Sequence, residues 1–248
     1  YSLAIIAGLV AANIAAAVTA RRERLDGNDI ILLEAYIVLG ALIGAKLLYI
    51  AVSAREIDWS RITDRDYLTS IMLGGFVFYG GLFGAMLVCF IYTKKMKLDY
   101  AEYVDVAASS IPLFHFFGRL GCFSSGCCYG VESPVGFVMH YSPAADANGV
   151  TRFPVQLVEA GCNLIIFFIL YYLIKKGRAK GRILDIYLLS YAPVRFILEF
   201  FRGDAIRGFV GPLSTSQFIS LITIIVIIPI MIIRHKKEIR IFSENRAN

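Results

Sequence analysis

The chain has 248 residues, of which 58% are hydrophobic and 18% charged, and its mean hydropathy is +0.66. That composition excludes a disordered chain, a fibrous repeat and most soluble folds. The net charge of +6 comes from 25 Lys and Arg against 19 Asp and Glu; the basic residues sit between apolar runs and at the C-terminal end, which implies anionic lipid and no nucleic acid as partner.

Apolar runs long enough to cross roughly 30 Å of hydrocarbon predict seven transmembrane helices, at about 1–20, 29–53, 68–93, 101–118, 156–174, 183–201 and 214–233. No linker separates two soluble lobes and no repeat is visible, so residues 1–248 read as one all-α integral membrane domain. The chain opens on Tyr1 and not on Met, so the numbering is expected to start inside a longer chain. Glu34 and Lys46 interrupt the second span; twelve residues apart, they lie about 120° apart around a helix and are not expected to pair. The fourth span is the weakest, with Glu102 and Asp105 near its start and Pro112 within it.

Loop charge sets the expected orientation. Sixteen Lys and Arg follow odd-numbered spans and seven, Arg207 among them, follow even-numbered ones. The positive-inside bias then places the N-terminus outside and the C-terminus in the cytoplasm, and turns the loop at about 119–155 outward.

Ionisable groups inside hydrocarbon are costly and mark bundle interiors or wet cavities. In the sixth span, spacings of four, four and three put Tyr191, Arg195, Glu199 and Arg202 on one helical stripe. Two arginines against one carboxylate leave surplus positive charge, the chemistry of a phosphate site in which Glu199 orients a guanidinium; the plain alternative is an Arg195–Glu199 pair that helps the bundle pack. In the third span, Tyr79 precedes Gly80, Gly81 and Gly84. Glycines at that density ordinarily serve helix packing, while a phenol beside bare backbone can approach a bound head group. Arg119 ends the fourth span, and Gly118, Gly121, Gly126 and Gly130 let the next segment turn tightly and offer N–H groups to an anion. Cys122, Cys127 and Cys128 cluster there, with compact packing as their expected role. A structural zinc would need a fourth ligand, for which His115 and His140 are the candidates. Pro154 opens the fifth span and puts Gln156 and Glu159 near its outer end.

Taken in order across nearly the whole chain, these segments resemble the bacterial prolipoprotein diacylglyceryl transferase family. The matching stretches are Tyr1-Ser2-Leu3, Tyr79 to Gly84, Gly118-Arg119 to Gly130, Pro154 to Glu159, Tyr191 through Arg202 with Asp204, and Leu213 to Gln217. The resemblance implies seven spans in a bacterial cytoplasmic (inner) membrane. It implies transfer of diacylglycerol from phosphatidylglycerol, or a similar anionic phospholipid, to the cysteine thiol of a prolipoprotein signal peptide, with release of glycerol phosphate. Arg119, Arg195, Glu199 and Tyr79 are then the catalytic candidates. Arg202, Tyr191, Gly80, Gly81, Gly130, Gln156 and Tyr1 are the substrate-binding ones. No metal or other cofactor is implied.

Four positions depart from the family pattern. Tyr79 stands where many members have the His proposed to activate the thiol, Cys122 and Ser125 replace Asn, and Phe153 replaces His. These replacements leave the phosphate-binding half intact and touch the acceptor half. Two alternatives follow: a paralogue that passes the same lipid to another acceptor, and a non-enzymatic lipid-binding or thiol-redox membrane protein.

Overall fold

The computed structural model describes residues 1–204 and 208–247; Arg207, counted in the charge tally, lies outside them. Among the described residues the helices are α1 (Ser2–Arg22), α2 (Gly27–Val52), α3 (Arg65–Leu73), α4 (Phe78–Met96), α5 (Tyr100–Ser124), α6 (Val155–Lys175), α7 (Ile183–Leu198) and α8 (Thr215–Ala247). Two small antiparallel sheets complete the fold, β1 (Glu132–Val138) with β2 (Thr151–Arg152) and β3 (Phe209–Val210) with β4 (Leu213–Ser214). Five helices, α1, α2, α5, α6 and the Thr215–Arg234 part of α8, are long and apolar enough to cross a membrane.

Burial runs opposite to that of a soluble protein. Leu3, Leu47, Phe83, Ile165 and Ile225 are exposed on the helices, while Glu34, Lys46, Asp105, Gln156, Glu159, Asn163 and Asp185 are buried among them. Apolar side chains outside and paired polar groups inside are the pattern of a multi-pass membrane protein.

Acidic caps fix several helix starts. Asp26, Asp64 and Asp99 accept hydrogen bonds from the first free amides of α2, α3 and α5, which those amides require at a helix N-terminus. Asp105 of α5 does the same between helices, accepting from the amides of Gly181 and, at 2.9 Å, of Ile183 where α7 begins. The acidic residue that weakens the fourth span is thus satisfied by the start of another helix.

Two spans differ from the sequence expectation. Residues 68–93 form no single helix; α3 stops at Leu73, the chain extends through 74–77, and α4 starts at Phe78. Lys46 of α2 accounts for the break. Its ammonium donates to the carbonyls of Ile71 (2.8 Å), Gly74 and Gly75 (2.9 Å) and lies 4.2 Å from the Phe76 ring centroid. The Val77 amide also donates to the Ala45 carbonyl at 3.1 Å. Carbonyls freed at a helix end inside an apolar layer need a partner, and one lysine supplies three donors. Glu34 has its own partner, the Ser110 hydroxyl of α5 at 2.8 Å, so the two charged groups of α2 serve different neighbours. Lys46→Met keeps the length and removes the donors. It should lower stability by about 2 kcal/mol, the order of one hydrogen bond from a charged group, read as the denaturation midpoint in mixed micelles; a wild-type midpoint would show that the break holds itself.

The second difference is α7, which ends at Leu198 and passes through a short 3-10 turn at Glu199–Phe201. Arg202 therefore leaves the helical stripe that Tyr191, Arg195 and Glu199 were expected to share with it.

The glycines of α4 have a packing role. A Cβ at Gly80 would meet the Gly44 carbonyl and Leu48, and one at Gly84 would meet the Gly40 carbonyl. Glycines four apart on both helices let α2 and α4 approach backbone to backbone, a common device of apolar helix pairs.

Candidate active site

Glu159, one turn into α6 with its side chain 1% exposed, is the centre of the site. Two other helices, α5 and α7, converge on its carboxylate. Arg119 near the end of α5 approaches to 3.0 Å, Arg195 of α7 to 3.6 Å, and the Tyr191 hydroxyl of α7 donates at 2.6 Å. His115, one turn before Arg119, adds a ring nitrogen 3.9 Å away. Arg195 also donates to Ser216 of α8 and pairs with Glu199, both at 2.9 Å.

Arg202 forms a two-pronged pair with Asp204, at 3.0 and 2.7 Å, the fork-to-carboxylate geometry that fixes a guanidinium plane. Three arginines thus face three carboxylates, Glu159, Glu199 and Asp204. The surplus of positive charge expected from the sixth span alone is offset by Glu159 and Asp204, which other elements bring in. Even so, donor capacity is left over: among the described residues, Arg119 Nε is buried without a hydrogen-bond partner, and Arg195 Nη1 makes only its 3.6 Å ion pair with Glu159. Buried donors of that kind carry a desolvation cost until a ligand meets them.

The loop after α5 is tied to this cluster by backbone. The Val131 amide donates to the Phe201 carbonyl at 2.9 Å, the Gly203 amide to Tyr129 at 3.0 Å, and the Phe153 amide to Val131 at 3.0 Å. Gly130 sits at the crossing, where a Cβ would collide with the Phe153 carbonyl, so no side chain fits. The crossing brings Arg202 beside the loop. Gln156, fully buried on α6, donates to the Cys127 carbonyl at 2.9 Å, and the Tyr1 ring packs over Gly121 beside Cys122.

Cys122, Cys127 and Cys128 have their sulfur atoms within 4.8 Å of one another. The hydrogen bond from Cys122 holds the Cys128 thiol below its ordinary range against the opposing push of burial, and the Arg202 and Arg119 guanidiniums add to the effect. A cavity of about 440 Å³ opens alongside, lined by Glu199, Phe200, Arg202, Asp204, Phe209 and Gln217 among others.

Of the residues singled out in the sequence, the structure joins Arg119, Tyr191, Arg195 and Glu199 in one network. Arg202, Gly130 and Gln156 lie in the adjoining loop crossing, and Tyr1 stands at the end of α5. Tyr79, Gly80 and Gly81 stand on α4, whose glycines face α2. Glu159 and His115 complete the network although neither was a catalytic candidate. Glu159 carried two signals, a carboxylate in the first turns of an otherwise apolar helix and its place in the Pro154 to Glu159 stretch of the family resemblance.

The described residues thus hold a buried network of arginines and carboxylates on helices of a multi-pass membrane protein, with Arg202, Asp204 and Glu199 also lining the cavity. The family model of the prolipoprotein diacylglyceryl transferases matches residues 1–233. The phosphatidylglycerol–prolipoprotein diacylglyceryl transferase of Clostridium tetani is 35% identical over 228 residues, spanning 91% of this chain and 89% of the relative. The second such enzyme of Clostridium perfringens is 34% identical over 191 residues (76% and 72%), and that of Idiomarina loihiensis 33% over 206 (82% and 73%). The chain belongs to the prolipoprotein diacylglyceryl transferase family.

Proposed function

We propose that this protein transfers the diacylglyceryl group of phosphatidylglycerol to the lipobox cysteine of prolipoproteins and releases glycerol phosphate. The observation that carries the reading is the pair of buried guanidiniums, Arg119 and Arg195, both ion-paired with Glu159, with Arg119 Nε left without a hydrogen-bond partner. The acceptor sulfur attacks the diacylglyceryl carbon that bears the phosphate. A C–S bond forms, the C–O bond breaks, and its electron pair stays on the departing glycerol phosphate. Negative charge on the phosphate grows along that path, so fixed N–H donors stabilise the transition state more than the bound lipid. Arg119 and Arg195 serve this role directly. Arg202, held flat by Asp204, provides a third positive group toward the cavity. Glu199 and Tyr191 are positioning residues that hold Arg195 and Glu159, while Gln156 and Gly130 keep the loop against the site. Tyr79 has the lesser task of hydrogen bonding to the head group, and Tyr1 closes the site above Gly121.

The protein acts as one integral domain of the bacterial cytoplasmic membrane, with the N-terminus outside, the C-terminus in the cytoplasm and the loop at 119–155 facing outward. The loop charge supports this orientation. Phosphatidylglycerol labelled in its acyl chains and in its glycerol head, incubated with the purified protein, tests the function. Labelled glycerol phosphate and a thioether-linked lipopeptide should appear only when a peptide with a lipobox cysteine is present. Lipid turnover independent of that peptide would favour the paralogue with another acceptor, the reading that Tyr79, Cys122 and Phe153 keep open.

A further inference from the structure

Tyr79 lies on the helix packed against α2, apart from the arginine and carboxylate network. The cysteine cluster offers a route to activating the acceptor thiol. Cys122 lies in the last turn of α5, and the chain then folds back through Gly126 (φ +69°) and Cys128 (φ +57°), with the Cys127 amide donating to the Cys122 carbonyl at 3.1 Å. A non-glycine residue at positive φ is costly and is worth a functional explanation. Here the strained position is spent on placing a third sulfur beside two others. Three sulfurs bound to one zinc-sized ion lie roughly 3.8–4.0 Å apart at the usual 2.3 Å bond length. The cluster, already within 4.8 Å, closes to that geometry with shifts of about 1 Å or less. Cys127 and Cys128 are partly exposed, so a ligand can reach the cluster from their side.

We propose that Cys122, Cys127 and Cys128 bind a thiophilic closed-shell divalent cation of the zinc class as a three-sulfur site whose open fourth position takes the acceptor cysteine and activates it. The proposal rests on the transferase function above. A structural zinc takes four protein ligands, whereas a catalytic one keeps a position for substrate. His115, a candidate fourth ligand by sequence, is instead turned to Tyr187, Tyr191 and Glu159. Three thiolates and a divalent ion carry one negative charge, and a substrate thiolate adds a second. Arg119 and Arg202 are the guanidiniums that face the cluster and offset that charge. Binding the substrate thiol to the metal releases its proton to solvent. The sulfur keeps a lone pair that attacks the diacylglyceryl carbon, and glycerol phosphate departs with the electrons of the broken C–O bond. Arg119 touches both halves, the cluster through its charge and the phosphate side through Glu159.

Cobalt(II) added to the metal-free, reduced, purified protein reads the site without any turnover. One equivalent should bind with the sulfur-to-metal charge-transfer absorption of thiolate ligation. A lipobox peptide should intensify that absorption, and the same peptide with Ser in place of Cys should not. The band should be absent from the Cys122→Ser, Cys127→Ser, Cys128→Ser triple variant. A wild-type protein without the band, or one whose band ignores the cysteine peptide, overturns the proposal whatever the fate of the triple variant. Turnover separates this from the function itself. Metal-stripped protein should lose at least tenfold in peptide-dependent transfer and regain it with zinc. Full transfer by stripped protein would sink the metal site and leave the transferase standing; a normal cobalt response to the peptide with no lipid transfer under any condition would leave the thiol site and remove the transferase.

Discussion

Glu159→Gln is expected to cost this protein about 3–5 kcal/mol of stability, the range found when one partner of a buried ion pair is removed. The carboxylate is almost fully enclosed and faces Arg119, Arg195 and Tyr191 at once, so the neutral amide leaves two buried guanidiniums with less compensation. Tyr191→Phe removes one hydrogen bond to the same carboxylate and should cost only about 1.5–3 kcal/mol. Because membrane proteins often unfold irreversibly, the measurement is the denaturation midpoint in mixed micelles together with the rate of thermal inactivation. Adding Arg195→Gln to Glu159→Gln should restore part of the loss, since the second change removes a charge that the first left uncompensated. A Glu159→Gln protein as stable as the parent would mean that the arginines find their compensation elsewhere and that Glu159 is not the hub of the network.

That hub shows where reading the chain one segment at a time runs out. Hydrocarbon thickness fixes span length, so α1, α2, α5, α6 and the first part of α8 were visible as apolar runs, and Arg119 and Arg195 stood out because charge is rare in such runs. What remained hidden depends on partners from other elements. The break between α3 and α4 is held by Lys46, more than twenty residues earlier in the chain, and a run of apolar residues and glycines gives no sign of a lysine reaching in from a neighbouring helix. The glycines of α4 were ambiguous for the same reason: only the glycines of α2 decide that their bare faces are filled by backbone. Arg202 looked like part of a helical stripe because spacing assumes that the helix continues. The 3-10 turn at Glu199–Phe201 and the crossing at Gly130 redirect it toward Asp204 and the cysteine loop. Net charge misleads locally as well. Counting arginines on one helix produced a surplus that Glu159, on another helix, helps to cancel.

With charge balanced at rest, the proposed phosphate role of the arginines rests on their geometry, and this sets the form of the expected kinetic result. Arg119→Gln and Arg195→Gln should each lower kcat/KM for peptide-dependent transfer by roughly 30- to 1,000-fold, equivalent to about 2–4 kcal/mol of transition-state stabilisation, as for loss of a charged clamp on a leaving group. The loss should fall mainly on kcat. The bound phosphodiester carries one negative charge, the leaving glycerol phosphate carries more, and a donor that meets the added charge contributes little to ground-state binding. Lysine at either position keeps the charge but not the planar fork, so Arg195→Lys, which cannot span Glu159, Glu199 and Ser216 together, should recover only a small part of the rate. Stability divides the two roles further. Either arginine variant leaves Glu159 with the other arginine and with Tyr191, so its denaturation midpoint should fall less than that of Glu159→Gln while its rate falls at least as far. Arginine variants that lose binding of phosphatidylglycerol in proportion to rate would assign these residues to holding the lipid. Variants that turn over near the parental rate would remove them from the phosphate site altogether.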